Sequence, residues 1–419
     1  MRIAMLSYHT CPLATLGGKD TGGMNVYVRE LTRALGRLGI QVDVFTRSQD
    51  EHVPHVLHDL GYGNRVVHIP AGPEVPLPKQ ELAEYIPQFV RGIQQFAQTR
   101  NLQYDLLHTH YWMSGIAGLQ LKAEWNIPLI QMFHTLGVMK NRVAQSASQM
   151  EGDYRLNGEQ RVLREADAII AATPAEVAQL QWLYRADVKK IAVIPPGVDT
   201  SRFYPISKDE AKEFIGAPPC EHNLLFVGRI EPLKGLDVLI QALALMRAQG
   251  VLAQHPACLA VIGGDPNVSP QAMTVEMARL QEMRRQYDLQ DVVAFLGRRG
   301  QDTLPYYYSA ATAVVVPSHY ESFGMVALEA MACGTPVVAS QVGGLAFLVQ
   351  DGQTGYHVPV GEPEALADRL TALVSNPTLQ QNMGRQAAEF ARDYDWHIIA
   401  TRIQQLYEGL LGQGARDKG

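Results

Sequence analysis

Short apolar runs recur along this chain, each followed by a loop and then a stretch of helical periodicity, and that alternation restricts the fold more than any other feature. Residues 2–6, 42–46, 106–108, 129–132, 168–171 and 191–194 read as strands, with helices over 24–38, 80–100 and 158–165 between them. Strand, loop, helix, strand is the order of a parallel α/β sheet. Pro195-Pro196-Gly197 breaks the series. A second series opens at 223–228 and continues through 259–264, 292–296, 310–316 and 336–339. The expected architecture is α/β: two Rossmann-like, doubly wound domains, residues 1–195 and 196–395, facing each other across a cleft. A last helix over 396–411 packs back on the first domain, and a frayed polar tail follows from Gly412. Open parallel sheets bind ligands at the carboxyl ends of their strands, which makes the cleft the expected site.

Composition narrows the function classes. The chain has 419 residues, 47% of them hydrophobic, more than one core accommodates. Its first residues read as a strand and no apolar run reaches membrane-spanning length, so a soluble cytoplasmic protein is expected. Cys11, Cys220, Cys258 and Cys333 are scattered without zinc or disulfide spacing, which suits a reducing compartment. Residues 1–195 hold 19 basic and 18 acidic side chains and the remainder 17 and 24, a balance that favours neither nucleic acid nor a membrane surface.

The most informative stretch is Glu321-Ser322-Phe323-Gly324, which follows the 310–316 run and becomes helical at about Gly324. A helix N-terminus accepts anions through its free N–H groups and its dipole. Glu321 and Glu329 would repel a phosphate there unless they bind hydroxyls, for which carboxylates are strong acceptors. A nucleotide sugar meets both demands. Gly228-Arg229-Ile230-Glu231-Pro232-Leu233-Lys234-Gly235 follows another strand and supplies Arg229 and Lys234 to neutralise a departing pyrophosphate. The long loop 9–25 carries paired glycines that allow close backbone approach to a ligand. His134 stands just past the 129–132 strand. Asp393-Tyr394-Asp395 reads as a turn into the last helix with Asp395 as its cap, and Tyr306-Tyr307-Tyr308 as helix packing.

Together these stretches resemble the retaining glycosyltransferases of the GT-B fold, family 4 (glycosyl transferases group 1), over nearly the whole chain. Within that family, 20–27, His110-Tyr111-Trp112, His134-Thr135-Leu136, 226–230 and 321–324 are most similar to the branch acting on D-inositol 3-phosphate, and similar also to sucrose-phosphate synthases. The resemblance implies donor contacts at Gly23, Arg229, Lys234, Arg299, Glu321, Phe323, Gly324, Met325, Glu329 and Thr335. Arg229 and Lys234 would clamp the pyrophosphate, Arg299 lie beside the base, Glu321 hold the transferred sugar and Glu329 the ribose. It implies acceptor contacts at His9, Asp20, Thr21, Gly22, Gly23, Met24, Asn25, Lys79, Tyr111, Thr135 and Arg155, with Lys79, Tyr111, Thr135 and Arg155 around a phosphate. His134 would lie over the donor sugar, where it orients and stabilises charge; with Glu321, Arg229 and Lys234 it makes up the catalytic set. Thr15-Leu16 departs from the Gln-Pro of the inositol-phosphate enzymes, and Thr21 matches the sucrose-phosphate synthases.

The implied partners are a UDP-sugar and a phosphorylated sugar or polyol, with a second copy of the chain also open. No bound cofactor or metal is implied. Glucose and N-acetylglucosamine both stay open as the transferred unit. The acceptor is an inositol phosphate, fructose 6-phosphate, or a lipid or glycan. A nucleotide-sugar epimerase and a non-catalytic nucleotide-sugar-binding protein are the competing classes.

Overall fold

The computed structural model describes residues 1–14, 22–144, 147, 150–217, 220–269 and 273–416. They form two compact units: residues 1–14, 22–197 and 396–416 in unit 1, and residues 198–395 in unit 2. Among the described residues no helix is long and apolar enough to cross a membrane.

Unit 1 is built on eight strands: β1 (Arg2–Leu6), β2 (Gln41–Arg47), β3 (Val56–Leu57), β4 (Arg65–Ile69), β5 (Leu106–His110), β6 (Leu129–Met132), β7 (Ala168–Ala171) and β8 (Ile191–Val193). Their order is β3-β4-β2-β1-β5-β6-β7-β8, all parallel except the β3–β4 pair. β1 sits centrally and Ile3, Ala4, Met5 and Leu6 have no exposed surface, as expected of a parallel strand covered on both faces. The chain leaves β1 towards β2 on one side and β5 towards β6 on the other. This reversal makes the carboxyl ends of β1 and β5 the point where a ligand crevice opens.

Unit 2 repeats the plan with β9 (His222–Val227), β10 (Ala257–Ile262), β11 (Val293–Gly297), β12 (Ala313–Val316), β13 (Val337–Ser340) and β14 (Gly355–Val358). The order β11-β10-β9-β12-β13-β14 is wholly parallel, with the reversal between β9 and β12. Each unit has its own apolar core, centred on residues such as Phe45, Phe89 and Phe133 in unit 1 and Leu239, Leu243 and Val315 in unit 2.

Several elements differ from the sequence expectation. The run 310–316 is divided: Leu304–Ala310 is a helix and β12 begins only at Ala313. The helix expected over 80–100 is broken into Lys79–Leu82, a 3-10 turn and Ile86–Thr99, because Pro87 lacks an amide hydrogen and fits only the first turn of a new helix. β3, β4 and β14 were not expected. The final helix runs over Trp396–Arg416, past Gly412, where glycine in a helix costs only about 1 kcal/mol. It packs in unit 1 against the helix Gly23–Arg37, with the Trp396 and Tyr27 rings 5.3 Å apart, and Arg402 donates to the Val193 carbonyl at 2.7 Å. Asp395 accepts the amide and the hydroxyl of Thr200.

The cysteine expectation is corrected as well. Cys220 and Cys258 form a disulfide, with Cα atoms 6.0 Å apart. Their separation of 38 residues gave no hint of pairing, but β9 and β10 run side by side with Asn223 opposite Cys258, which carries Cys220 to its partner. Cys333 is buried and Cys11 half-buried, both as thiols.

Candidate active site

In unit 2 the loops after β9 and β12 meet backbone to backbone. Gly235 has φ 65°, and a Cβ there would stand 2.0 Å from the Pro317 carbonyl oxygen, so the contact requires glycine. The His319 amide donates to the Leu233 carbonyl at 2.9 Å across the same seam. Lys234 and Glu321 are thereby brought together, Nζ to Oε2 at 2.5 Å, each side chain about one-fifth exposed. Arg229, on the same loop, pairs with Glu231 at 2.8 Å and remains about a third exposed.

Gly324 precedes the helix Met325–Ala332 with φ 106° and ψ 54°, a conformation unfavourable for other residues. A Cβ at this point would also lie 2.5 Å from a Leu345 methyl. The helix therefore starts without a capping side chain, and its first N–H groups are left for an anion. Phe323 is buried with its ring 6.2 Å from that of Tyr394, whereas Met325 is half-buried. Two turns on, Glu329 accepts from the Tyr308 hydroxyl at 2.8 Å and from Gln301 at 3.4 Å. Burial and then the Glu329 charge push the Tyr308 hydroxyl well above its ordinary pKa, which keeps it a donor. The Thr335 hydroxyl donates to the Tyr308 carbonyl at 2.7 Å. Arg299 Nε donates to the Tyr307 hydroxyl at 3.0 Å. The tyrosine run is thus more than helix packing: it holds Glu329, Thr335 and Arg299.

In unit 1 the corresponding strand ends carry strain. Tyr111 after β5 has φ 73° and His134 after β6 has φ 61°, left-handed conformations that non-glycine residues rarely adopt and that cluster at functional sites. His9, beyond β1, packs its ring 4.4 Å from that of Tyr111. The Tyr111 ring lies 5.8 Å from Lys79 Nζ and 5.0 Å from the Arg155 guanidinium carbon, a cation on the ring at each contact. Arg155 is fully buried; its Nη2 donates to the Thr135 carbonyl and hydroxyl at 3.0 and 3.1 Å. Lys79, Tyr111, Thr135, Arg155 and His9 are therefore one cluster assembled from five separate segments. The His9 Nδ1 atom is buried without a protein partner. Burial, followed by the charges of Lys79 and Arg155, holds the His9 ring neutral.

The rest of the predicted acceptor loop behaves differently. The Asn25 amide is used inside the protein: it donates to Thr10 and to the Cys11 carbonyl at 2.7 Å each and accepts from the Gly22 amide at 2.9 Å. It fixes the start of the helix that Gly23 and Met24 open. Gly23 is exposed. Asp20 and Thr21, with Thr15 and Leu16, lie outside the described residues.

His134 Nε2 lies 2.9 Å from His110 Nδ1, and burial pushes the His134 pKa down to about 3. The His110 ring packs 4.4 Å from that of His108, whose Nδ1 is 2.7 Å from the Tyr407 hydroxyl of the last helix. His108 and His110 were missed as site residues, although two strand residues at i and i+2 share one face. Glu151, Lys140 and Glu159 were missed too. Glu151, Arg155 and Glu159 stand four apart, the spacing at which charges meet on a helix.

Two glycosyltransferase family models match the chain. Glycosyltransferase Family 4 matches residues 21–202, and Glycosyl transferases group 1 matches residues 207–390. The chain is 42% identical over 407 residues to D-inositol 3-phosphate glycosyltransferase 2 of Catenulispora acidiphila, covering 97% of this chain and 94% of that one. It is 41% identical over 408 residues to D-inositol 3-phosphate glycosyltransferase of Actinosynnema mirum, covering 97% and 96%. Among solved structures it is similar to a sucrose-phosphate synthase from Thermosynechococcus elongatus, with TM-score 0.89, 36% identity and coverage of 98% and 99%. Anabaena HepE, solved with UDP and glucose, shares the fold at TM-score 0.74 and 21% identity, with coverage of 98% and 100%.

Proposed function

We propose a donor, an acceptor and a stereochemical course for this chain, which belongs to the group 1, family 4 glycosyltransferases and is a hexosyltransferase. Unit 2 takes a UDP-sugar carrying glucose or N-acetylglucosamine, and unit 1 takes a phosphorylated polyol of the D-inositol 3-phosphate kind. The observation that carries the acceptor reading is the buried Arg155, set with Lys79, Thr135 and Tyr111 in one cluster, since two cations and two hydroxyls suit a phosphate. The two relatives at about 40% identity, both named as inositol-phosphate enzymes, support the same choice.

In this reading the diphosphate lies at the helix end beside Gly324, next to Arg229 and Lys234, while Glu321 accepts hydroxyls of the sugar and Glu329 those of the ribose. The bond from the anomeric carbon to the diphosphate breaks as the acceptor oxygen bonds to that carbon on the same face. The acceptor proton passes to the departing phosphate oxygen, and configuration is retained. The residues act by position and charge: the N–H groups at Gly324, with Arg229 and Lys234, stabilise the negative charge that grows on the leaving group. His134, neutral through burial, orients the sugar and takes no proton.

A second reading, with fructose 6-phosphate as acceptor, is favoured by the likeness to the sucrose-phosphate synthase at 36% identity. One assay separates them. Release of nucleoside diphosphate is followed from UDP-glucose and UDP-N-acetylglucosamine with inositol 3-phosphate, fructose 6-phosphate and fructose, for wild type and Arg155→Ala. Stimulation by inositol 3-phosphate alone, lost in Arg155→Ala, is the expected result. Stimulation by fructose 6-phosphate instead selects the second reading, and none by either phosphate removes the phosphorylated acceptor altogether.

A further inference from the structure

The two carboxylates that hold Arg155 are not alike. Glu159 has no exposed side-chain surface and accepts from the Gly137 amide at 3.0 and 3.1 Å, from Arg155 Nε at 2.8 Å and from the Tyr184 hydroxyl. It cannot leave without orphaning buried donors. Glu151 precedes the helix Asp153–Glu165 and keeps one-fifth of its side chain exposed. Among the described residues, the cations engage only its Oε1, which accepts from Arg155 Nη1 at 2.5 Å and from Lys140 Nζ at 2.9 Å. Its backbone is fixed on both sides by Asn141, at 2.6 and 3.0 Å, so the side chain can swing while the chain stays in place.

We propose that Glu151 is a specificity-determining residue that occupies the anion position between Arg155 and Lys140 and is displaced by the phosphate of the incoming acceptor. The inference rests on the acceptor reading above and goes beyond it. A phosphate brings more charge than a carboxylate and three acceptor oxygens, so it can replace Glu151 on both cations. A neutral polyol has nothing to exchange for that ion pair and is rejected. The surroundings favour an anion. Arg155, Lys140 and Lys79 outweigh the effect of burial and hold the Glu151 carboxyl ionised, and the nearby His9 is kept neutral.

The test is calorimetric titration of inorganic phosphate into the full-length wild type, Glu151→Gln and Arg155→Ala. Removing the competing charge makes Glu151→Gln bind phosphate about tenfold more tightly, the worth of one charged hydrogen bond, and Arg155→Ala abolishes binding. Should Glu151→Gln fail to fold, Glu151→Asp, one methylene short of spanning both cations, is expected to tighten binding in the same sense. Arg155-dependent binding that is equal or weaker in the Glu151 variants overturns the displacement and leaves the acceptor reading standing. Binding that Arg155→Ala leaves unchanged overturns the acceptor reading, and the displacement with it.

Discussion

His108 shows what burial does to a single titratable side chain here. It has no exposed surface, it faces Tyr407, His110 and His134, and burial pushes its pKa down to about 3. The unfolded chain takes up a proton near pH 6.5 that the folded one refuses, so the stabilisation is complete above that pH and is lost as pH falls. His108→Gln retains a partner for the Tyr407 hydroxyl and removes the titration. The stability gap between wild type and His108→Gln should therefore narrow by about 1.4 kcal/mol per pH unit below about pH 6. Denaturant titrations at pH 7, 6 and 5 measure this, and a constant gap would show that the buried ring accepts its proton freely.

At the scale of elements, the helix Met325–Ala332 is only eight residues long, and Gly324 decides where it starts. Gly324→Ala forces an L side chain into a positive φ and against Leu345, at a cost of about 1–3 kcal/mol. The expected outcome is a lower melting temperature together with at least tenfold weaker UDP binding by calorimetry. UDP affinity at the wild-type level would show that the diphosphate does not use this helix end. Gly324 was legible in the sequence because its chemistry lies in consecutive residues between an apolar run and a helical one. β1 was legible because a strand covered on both faces must be apolar throughout. β14 (Gly355–Val358) was not, since glycine and histidine interrupt its apolar pattern. Arg155 entered the expected acceptor set only by resemblance, and its two carboxylates went unread although they stand four residues away on either side. The Cys220–Cys258 bond depends on strand order, which no local spacing encodes.

For the whole molecule, the disulfide belongs to unit 2 alone, and the two units have separate cores. Closing a loop of this length is worth roughly 3–4 kcal/mol in the unfolded-chain entropy account. Reductant should therefore lower one of two calorimetric transitions and leave the other in place, while Cys258→Ser reproduces the effect without reductant. A single transition that moves as a whole would show that the two cores unfold together.

The last helix adds a consequence in time. Trp396, Arg402 and Tyr407 complete unit 1, yet they follow all of unit 2 in the chain. During synthesis on the ribosome, unit 2 has every one of its residues in hand while the first-made domain still lacks its closing helix. The face of Tyr27 that Trp396 covers, and the histidines beneath Tyr407, stay open until that helix emerges. Of the two units, the one that is begun first is finished second.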